Sequence, residues 1–196
     1  MIFRKITDWK TRLIPLTLAA GIVLADQVTK LIVALKVSAL PPAFPGGPPG
    51  LKVIGDFFRI LFVQNTAIAF SIGAGLPPGT QRALFGFLPL IVVGVLLVYY
   101  LFTRDPLTRF QRWCFAALVG GGLGNFVDRI FRPAGVVDFL DFPNPFHGLF
   151  GLTTWIFRLE RWPTFNLADS TVVVTGILLF ISFLIPVKGK PSEQNP

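Results

Sequence analysis

The sequence predicts an all-α membrane protein with four transmembrane helices, and three observations carry that expectation. The 196 residues are 53% hydrophobic and only 14% charged, with a mean hydropathy of +0.66, the balance of a membrane chain rather than of a soluble domain. Between Arg82 and Arg104 the run from Ala83 to Phe102 carries no charge, and at about 1.5 Å per residue it is long enough to cross a hydrocarbon core of about 30 Å. Lys and Arg gather in residues 1–12, in the link 103–112 and after residue 187, whereas 37–81 and 132–168 are close to balanced. Both termini are therefore expected on the cytoplasmic side, with two outward segments.

The same composition excludes several classes. A pI of about 10.3 reads as topology rather than as nucleic-acid binding. A single cysteine, Cys114, and a single histidine, His147, rule out a disulfide framework and a Cys/His metal cluster. Cys114 is read as a packing residue, and neither a metal nor a cofactor is expected. The chain is read as one domain over 1–196, with helices at about 13–35, 83–102, 112–131 and 168–187, outward segments at 37–81 and 132–167, and a disordered tail at 188–196.

The first helix follows a basic start and contains Leu18-Ala19-Ala20, which imitates a signal peptide. Cleavage there would discard Asp26, so an uncleaved helix is expected. Asp26 and Lys30, four residues apart, share one helix face. They make a self-neutralising pair that eases insertion, a pair that buttresses a polar site inside the bundle, or both.

Pro41 through Gly50 holds too many Pro and Gly residues for a regular helix or a central strand. Phe57 to Val63 is rich in β-formers and suggests a short strand or two on the membrane surface. Asn65 follows, either capping a turn or offering a substrate-binding carboxamide. The second helix reads as scaffold, and 103–111 as a short basic loop.

In the third helix Gly120 and Gly124 allow close helix approach. Gly121, Asn125 and Arg129 recur every fourth residue, so a smooth groove is expected to end in a carboxamide and a guanidinium. A phosphate loop is discounted because no Lys-Ser/Thr follows the glycines. Asp128, one position off that stripe, is expected to pair or cap locally. Pro133 and Gly135 then end the helix, which brings Asp138 near the outer membrane face.

The segment 141–164 carries Phe142, Phe146, Phe150, Trp155, Phe157 and Trp162, which suits an interfacial flap or half-helix. Asn166 and Asp169 open the fourth helix, where the dipole favours an anion. No internal repeat of the kind common in transporters is visible.

Asp138 and Asp169 thus fall at the same bilayer end. Two neighbouring carboxyls do not both ionise cheaply. One can take a proton from water attacking a peptide carbonyl while the other polarises that carbonyl. The plainer reading is two acids that cap helices or stay solvated.

Five strings, Asp26-Gln27-Val28-Thr29-Lys30, Asn65 through Phe70, Gly121 through Arg129, Val136-Val137-Asp138-Phe139 and Phe165-Asn166-Leu167-Ala168-Asp169, together resemble lipoprotein signal peptidase, the bacterial signal peptidase II. The match runs in order along the chain. The resemblance implies catalytic aspartates at Asp138 and Asp169, with Asp26, Lys30, Asn65, Gly121, Asn125, Arg129 and Asn166 lining the site. It also implies four transmembrane helices, a small extracytoplasmic β-cradle with a mobile flap, and an aspartyl endopeptidase of the bacterial cytoplasmic (inner) membrane.

The implied substrate is a prolipoprotein whose cysteine carries diacylglycerol, cut just before that cysteine. The helix-three groove is offered as the berth for the signal helix or lipid. Three departures stand out: Ala67 where the family usually has glycine, a longer stretch between the two aspartate strings, and one extra residue between Arg129 and Asp138.

A proton-coupled transporter would place charges near the midplane within broken helices and repeats, which this sequence does not do. A non-catalytic scaffold would make Asp138→Asn silent. The chain is not itself expected to be a lipoprotein, because no cysteine follows the first apolar run. A monomer is the simpler expectation, since one chain supplies the polar site.

Overall fold

The computed structural model describes residues 9–65, 91–103, 107–147 and 159–185. A short helix α1 (Trp9–Leu13) leads into α2 (Leu16–Ile32), which widens into a π-helical turn at Val33–Val37. Strands β1 (Gly50–Ile54) and β2 (Phe58–Asn65) follow, then helix α3 (Ile91–Phe102), helix α4 (Arg109–Phe131), strand β3 (Val136–Asp141) and helix α5 (Leu167–Leu184).

Three helical stretches, Trp9–Val37, Arg109–Phe131 and Leu167–Leu184, are long and apolar enough to cross a membrane. Of the expected span 83–102, the described part is α3, a shorter apolar helix; residues 83–90 lie outside the described residues. Helix α4 starts at Arg109 because Thr108 and Gln111 form a reciprocal capping box there, and this satisfies two amides that a helix start otherwise leaves open.

Helix α4 is the most buried of the three, and its glycines are the reason. A Cβ at Gly120 would fall 2.8 Å from the Ala19 Cα of α2, and one at Gly121 would fall 2.8 Å from the Ala168 carbonyl oxygen of α5. A Cβ at Gly124 would meet the Asp26 carboxylate at 2.8 Å and Ala168 Cβ at 3.1 Å. Small residues here let two helices press against one, which is how helices associate without a hydrophobic driving force between them. This corrects one expectation: the groove of α4 glycines is filled by the protein's own α2 and α5 and has no room for a substrate helix or lipid. Outer faces carry exposed Leu24, Leu35, Val173, Ile177 and Phe180, as lipid-facing surfaces do.

The sheet is antiparallel, in the order β1-β2-β3. Gly135, at φ 102°, turns the chain out of α4 into β3, a conformation that glycine adopts without steric cost. Val137 and Phe139 of β3 pack on Val33 and Val37 of the π-turn, which sets the sheet on the end of α2. Phe165 then pairs with Leu140: its carbonyl accepts from Phe139 N at 3.0 Å and Leu140 N at 2.7 Å, and its own amide donates to the Leu140 carbonyl at 3.1 Å. That short bridge fixes the start of α5 beside β3.

Of the expected flap, Phe142 stacks on Phe58 at 4.7 Å and Phe146 meets Trp162 at 6.0 Å. Phe150, Trp155 and Phe157 lie outside the described residues, as do Ala67 and the rest of 66–81.

Candidate active site

Asp138 is the third residue of β3 and its side chain is only 3% exposed. Asn65 ends β2 opposite Val136, so Asn65 and Asp138 are diagonal neighbours on one face of the sheet. Asn65 Nδ2 donates to Asp138 Oδ2 at 3.0 Å. Asn65 therefore belongs to the candidate site by contact with Asp138.

Asp169 lies in the first turn of α5. Asn166 is the N-cap residue; its side-chain oxygen accepts from Asp169 N at 3.0 Å, while Asp169 Oδ2 accepts from Asn166 N at 3.1 Å. The capping reading of Asp169 therefore holds for one oxygen. The other, Oδ1, accepts from Asn125 Nδ2 of α4 at 2.6 Å.

Asn166 connects the two acids. Its Nδ2 donates to Asp138 Oδ1 at 2.7 Å and to Asn125 Oδ1 at 3.0 Å. All four carboxylate oxygens thus hold one N–H donor each, and each keeps a lone pair for water or substrate. Burial pushes the Asp138 carboxyl up from its ordinary 3.8 to about 6. The Asp169 charge adds to that rise, while the Asn65 and Asn166 hydrogen bonds and Lys30 oppose it. The charges of Asp169, Asp138 and Asp128 act on the Arg129 guanidinium, whose Nη1 donates to the Asn125 carbonyl at 3.3 Å.

Beneath the acids lies a second polar layer. Lys30 Nζ sits 2.7 Å from Asp26 Oδ2 and 2.9 Å from Asp128 Oδ2, with all three side chains fully buried. It also donates to Asn125 Oδ1 at 2.9 Å. Asp26 Oδ1 accepts from Ala168 N at 3.0 Å, so the Asp26–Lys30 pair faces the bundle interior and borders the candidate site. Gly121 supports the site only by letting α5 approach.

Three residues here had no place in the expected site. Asp128 accepts from Val137 N at 3.3 Å and pairs with Arg132 at 3.0 Å, and Gln27 Nε2 reaches Gly124 O at 2.9 Å and Asp128 Oδ1 at 3.0 Å. A spacing signal existed: Gly121, Gly124 and Asp128 form the buried stripe of α4, at helical steps of three and four. The every-fourth-residue stripe ending at Arg129 passed over it. Among the described residues no cluster of His, Cys, Asp and Glu is suited to a metal.

Comparison with known proteins decides the family. A family model described as signal peptidase (SPase) II matches residues 18–185. The chain belongs to the signal peptidase II family. The lipoprotein signal peptidase of Treponema pallidum is 41% identical over 186 residues, 95% of this chain and 91% of that protein. That of Treponema denticola is 40% identical, covering 93% of this chain and 95% of its relative, and that of Borrelia turicatae is 41% identical, covering 75% and 79%. A solved structure described as a bacterial membrane enzyme obtained by the in meso method superposes with a TM-score of 0.66 at 25% identity, covering all of both chains. Signal peptidase II membership makes this chain a multi-pass membrane protease of lipoprotein processing.

Proposed function

We propose that the chain is an aspartyl endopeptidase that removes the signal peptide from diacylglyceryl-modified prolipoproteins, cutting just before the lipidated cysteine. The observation that carries this reading is the joining of two carboxyls from different elements through one residue: Asn166 donates its side-chain Nδ2 to the Asp138 carboxylate of β3 and its backbone N–H to the Asp169 carboxylate of α5. Family membership supplies the substrate class.

Asp138, buried and raised to about 6, is placed to act as the acid. Asp169, at the positive end of the α5 dipole with two N–H donors, is placed to act as the base. Water attacks the scissile carbonyl carbon and gives a proton to Asp169, while Asp138 donates its proton to the carbonyl oxygen. As the tetrahedral species collapses, the C–N bond breaks, Asp169 returns its proton to the leaving amine, and Asp138 recovers its own. The pair ends as it began. Arg129 offsets the negative charge of the pair. The reaction as written needs only residues of this chain, and one copy supplies them all, which favours a monomer.

A lipid-anchored cysteine holds its scissile bond at the membrane surface. The reading therefore puts the two acids at the outer face of the cytoplasmic (inner) membrane, with both termini cytoplasmic as the Lys/Arg bias demands. The test is cleavage by purified wild type, Asp138→Asn and Asp169→Asn of precursors with and without diacylglycerol. Loss of turnover in both variants, with unmodified precursor left uncut, is expected. A wild type indifferent to the lipid would contradict the substrate assignment.

A further inference from the structure

Lys30 pairs with Asp26 and Asp128 and reaches the Asp138–Asp169 pair through Asn125. We infer that Lys30 is a positioning residue for Asp169, acting through the orientation of the Asn125 carboxamide; the inference rests on the two-aspartate reading above.

A carboxamide has one accepting end and one donating end, and an ammonium group can only donate. Lys30 Nζ, 2.9 Å from Asn125, therefore demands the oxygen of that side chain, which leaves the Asn125 amino group facing Asp169 Oδ1 at 2.6 Å. Asn166 is oriented independently by its own cap, since its oxygen must accept from Asp169 N. Lys30 is in turn held by two fully buried carboxylates, Asp26 at 2.7 Å and Asp128 at 2.9 Å. Asp128 is balanced further by Arg132 at 3.0 Å.

Asn166 Nδ2 also donates to the Asn125 oxygen, at 3.0 Å, but Lys30 is its charged and therefore stronger donor; without Lys30, Asn125 turns its oxygen toward Asp169 more readily. An oxygen facing an oxygen is tolerated only if Asp169 carries a proton, so the base needed to activate water is neutralised. The consequence is a pH effect with a definite sign: the acid limb of the rate profile moves to higher pH. The charged groups around Asp169 among the described residues are Asp138 of β3, Arg129 and Asp128 of α4, and Asp26 and Lys30 of α2.

Lys30→Met alone leaves buried acids unbalanced, so the test uses Asp26→Asn with Lys30→Met. This double variant keeps the Asp128–Arg132 pair, keeps an oxygen for Ala168 N, and leaves the buried net charge unchanged. It is compared with wild type on a diacylglyceryl-modified prolipoprotein across pH, with thermal unfolding in detergent measured in parallel. The expected result is a near-wild-type unfolding midpoint, a KM within about twofold, a kcat lower by about tenfold or more at neutral pH, and an acid limb about one pH unit higher.

A double variant that cleaves at the wild-type rate with an unshifted profile overturns the inference, because Lys30 then merely neutralises Asp26. A loss equal at every pH, or failure of the charge-balanced variant to fold, overturns it too, since a structural requirement then accounts for Lys30. Inactive Asp138→Asn and Asp169→Asn beside a fully active double variant would sink this inference alone. Active aspartate variants would sink the two-aspartate reading first.

Discussion

At Asp138 burial raises the carboxyl to about 6, and this sets stability against catalysis. The folded state binds this proton more tightly than the unfolded chain, whose value lies near 3.8. Stability from this group is therefore fully present below 3.8 and is lost as pH rises through about 6, a difference of roughly 3 kcal/mol. Asp138→Asn is expected to raise the unfolding free energy at pH 8 by about 1–3 kcal/mol, to change it little at pH 4, and to abolish turnover. Thermal unfolding in detergent at the two pH values checks this; a variant less stable than wild type at pH 8 would contradict the burial account. On the proposed two-aspartate reading catalysis has the same sign: activity is expected to fall as rising pH removes the Asp138 proton. Substrate that covers the carboxyl desolvates it further, so the alkaline limb lies at higher pH in kcat than in kcat/KM. At this scale the sequence was informative wherever chemistry is local. The Asn166–Asp169 cap lies within four residues, and Asp26 with Lys30 within one helical turn. The burial of Asp128 was hidden because it depends on where α2 crosses α4.

Between elements, contact depends on whether a side chain can be afforded no space at all. Gly121→Ala and Gly124→Ala each put a methyl against α5 or Asp26 at 2.8 Å, so each is expected to cost about 1–3 kcal/mol and to lower activity by shifting the start of α5. Gly176 of α5 has no atom within 4 Å of its added Cβ; Gly176→Ala is expected to be neutral or to gain up to about 1 kcal/mol from helix propensity. Unfolding midpoints of the three variants check the contrast, and equal effects would contradict the packing account. At the sheet, Arg161 donates through Nε at 2.8 Å to Asp141, whose side chain is 4% exposed, and through Nη1 at 2.7 Å to the Asp56 carbonyl. This ties the strand that carries Asp138 to the chain leading into α5. Arg161→Ala leaves a buried carboxylate short of donors and is expected to destabilise by about 1–3 kcal/mol, and faster proteolysis between residues 141 and 161 checks it. The β-formers of Phe57–Val63 announced β2. Val136, Val137 and Phe139 are β-formers as well, but the strand they make, β3, depends on pairing with a segment more than 70 residues earlier. The glycines of α4 announced close packing but not which helices would fill it.

Across the whole molecule, membrane character and three of the apolar spans were legible because they rest on composition and on uncharged runs along the chain. The meeting of the two acids was not, because it needs three separate arrangements: the π-turn that seats β3 on α2, the Phe165–Leu140 bridge that seats α5 beside it, and the glycines that draw α5 onto α4. The resemblance to signal peptidase II supplied that long-range information before any geometry. The most direct measurement is the single-turnover cleavage rate of a diacylglyceryl-modified prolipoprotein by wild type, Asp138→Asn and Asp169→Asn, each first shown to be folded and to bind the precursor. Losses of about 10²-fold or more in both variants, with binding retained and a chelator without effect, are the predicted result. Near-normal cleavage by either variant would contradict the shared two-aspartate mechanism.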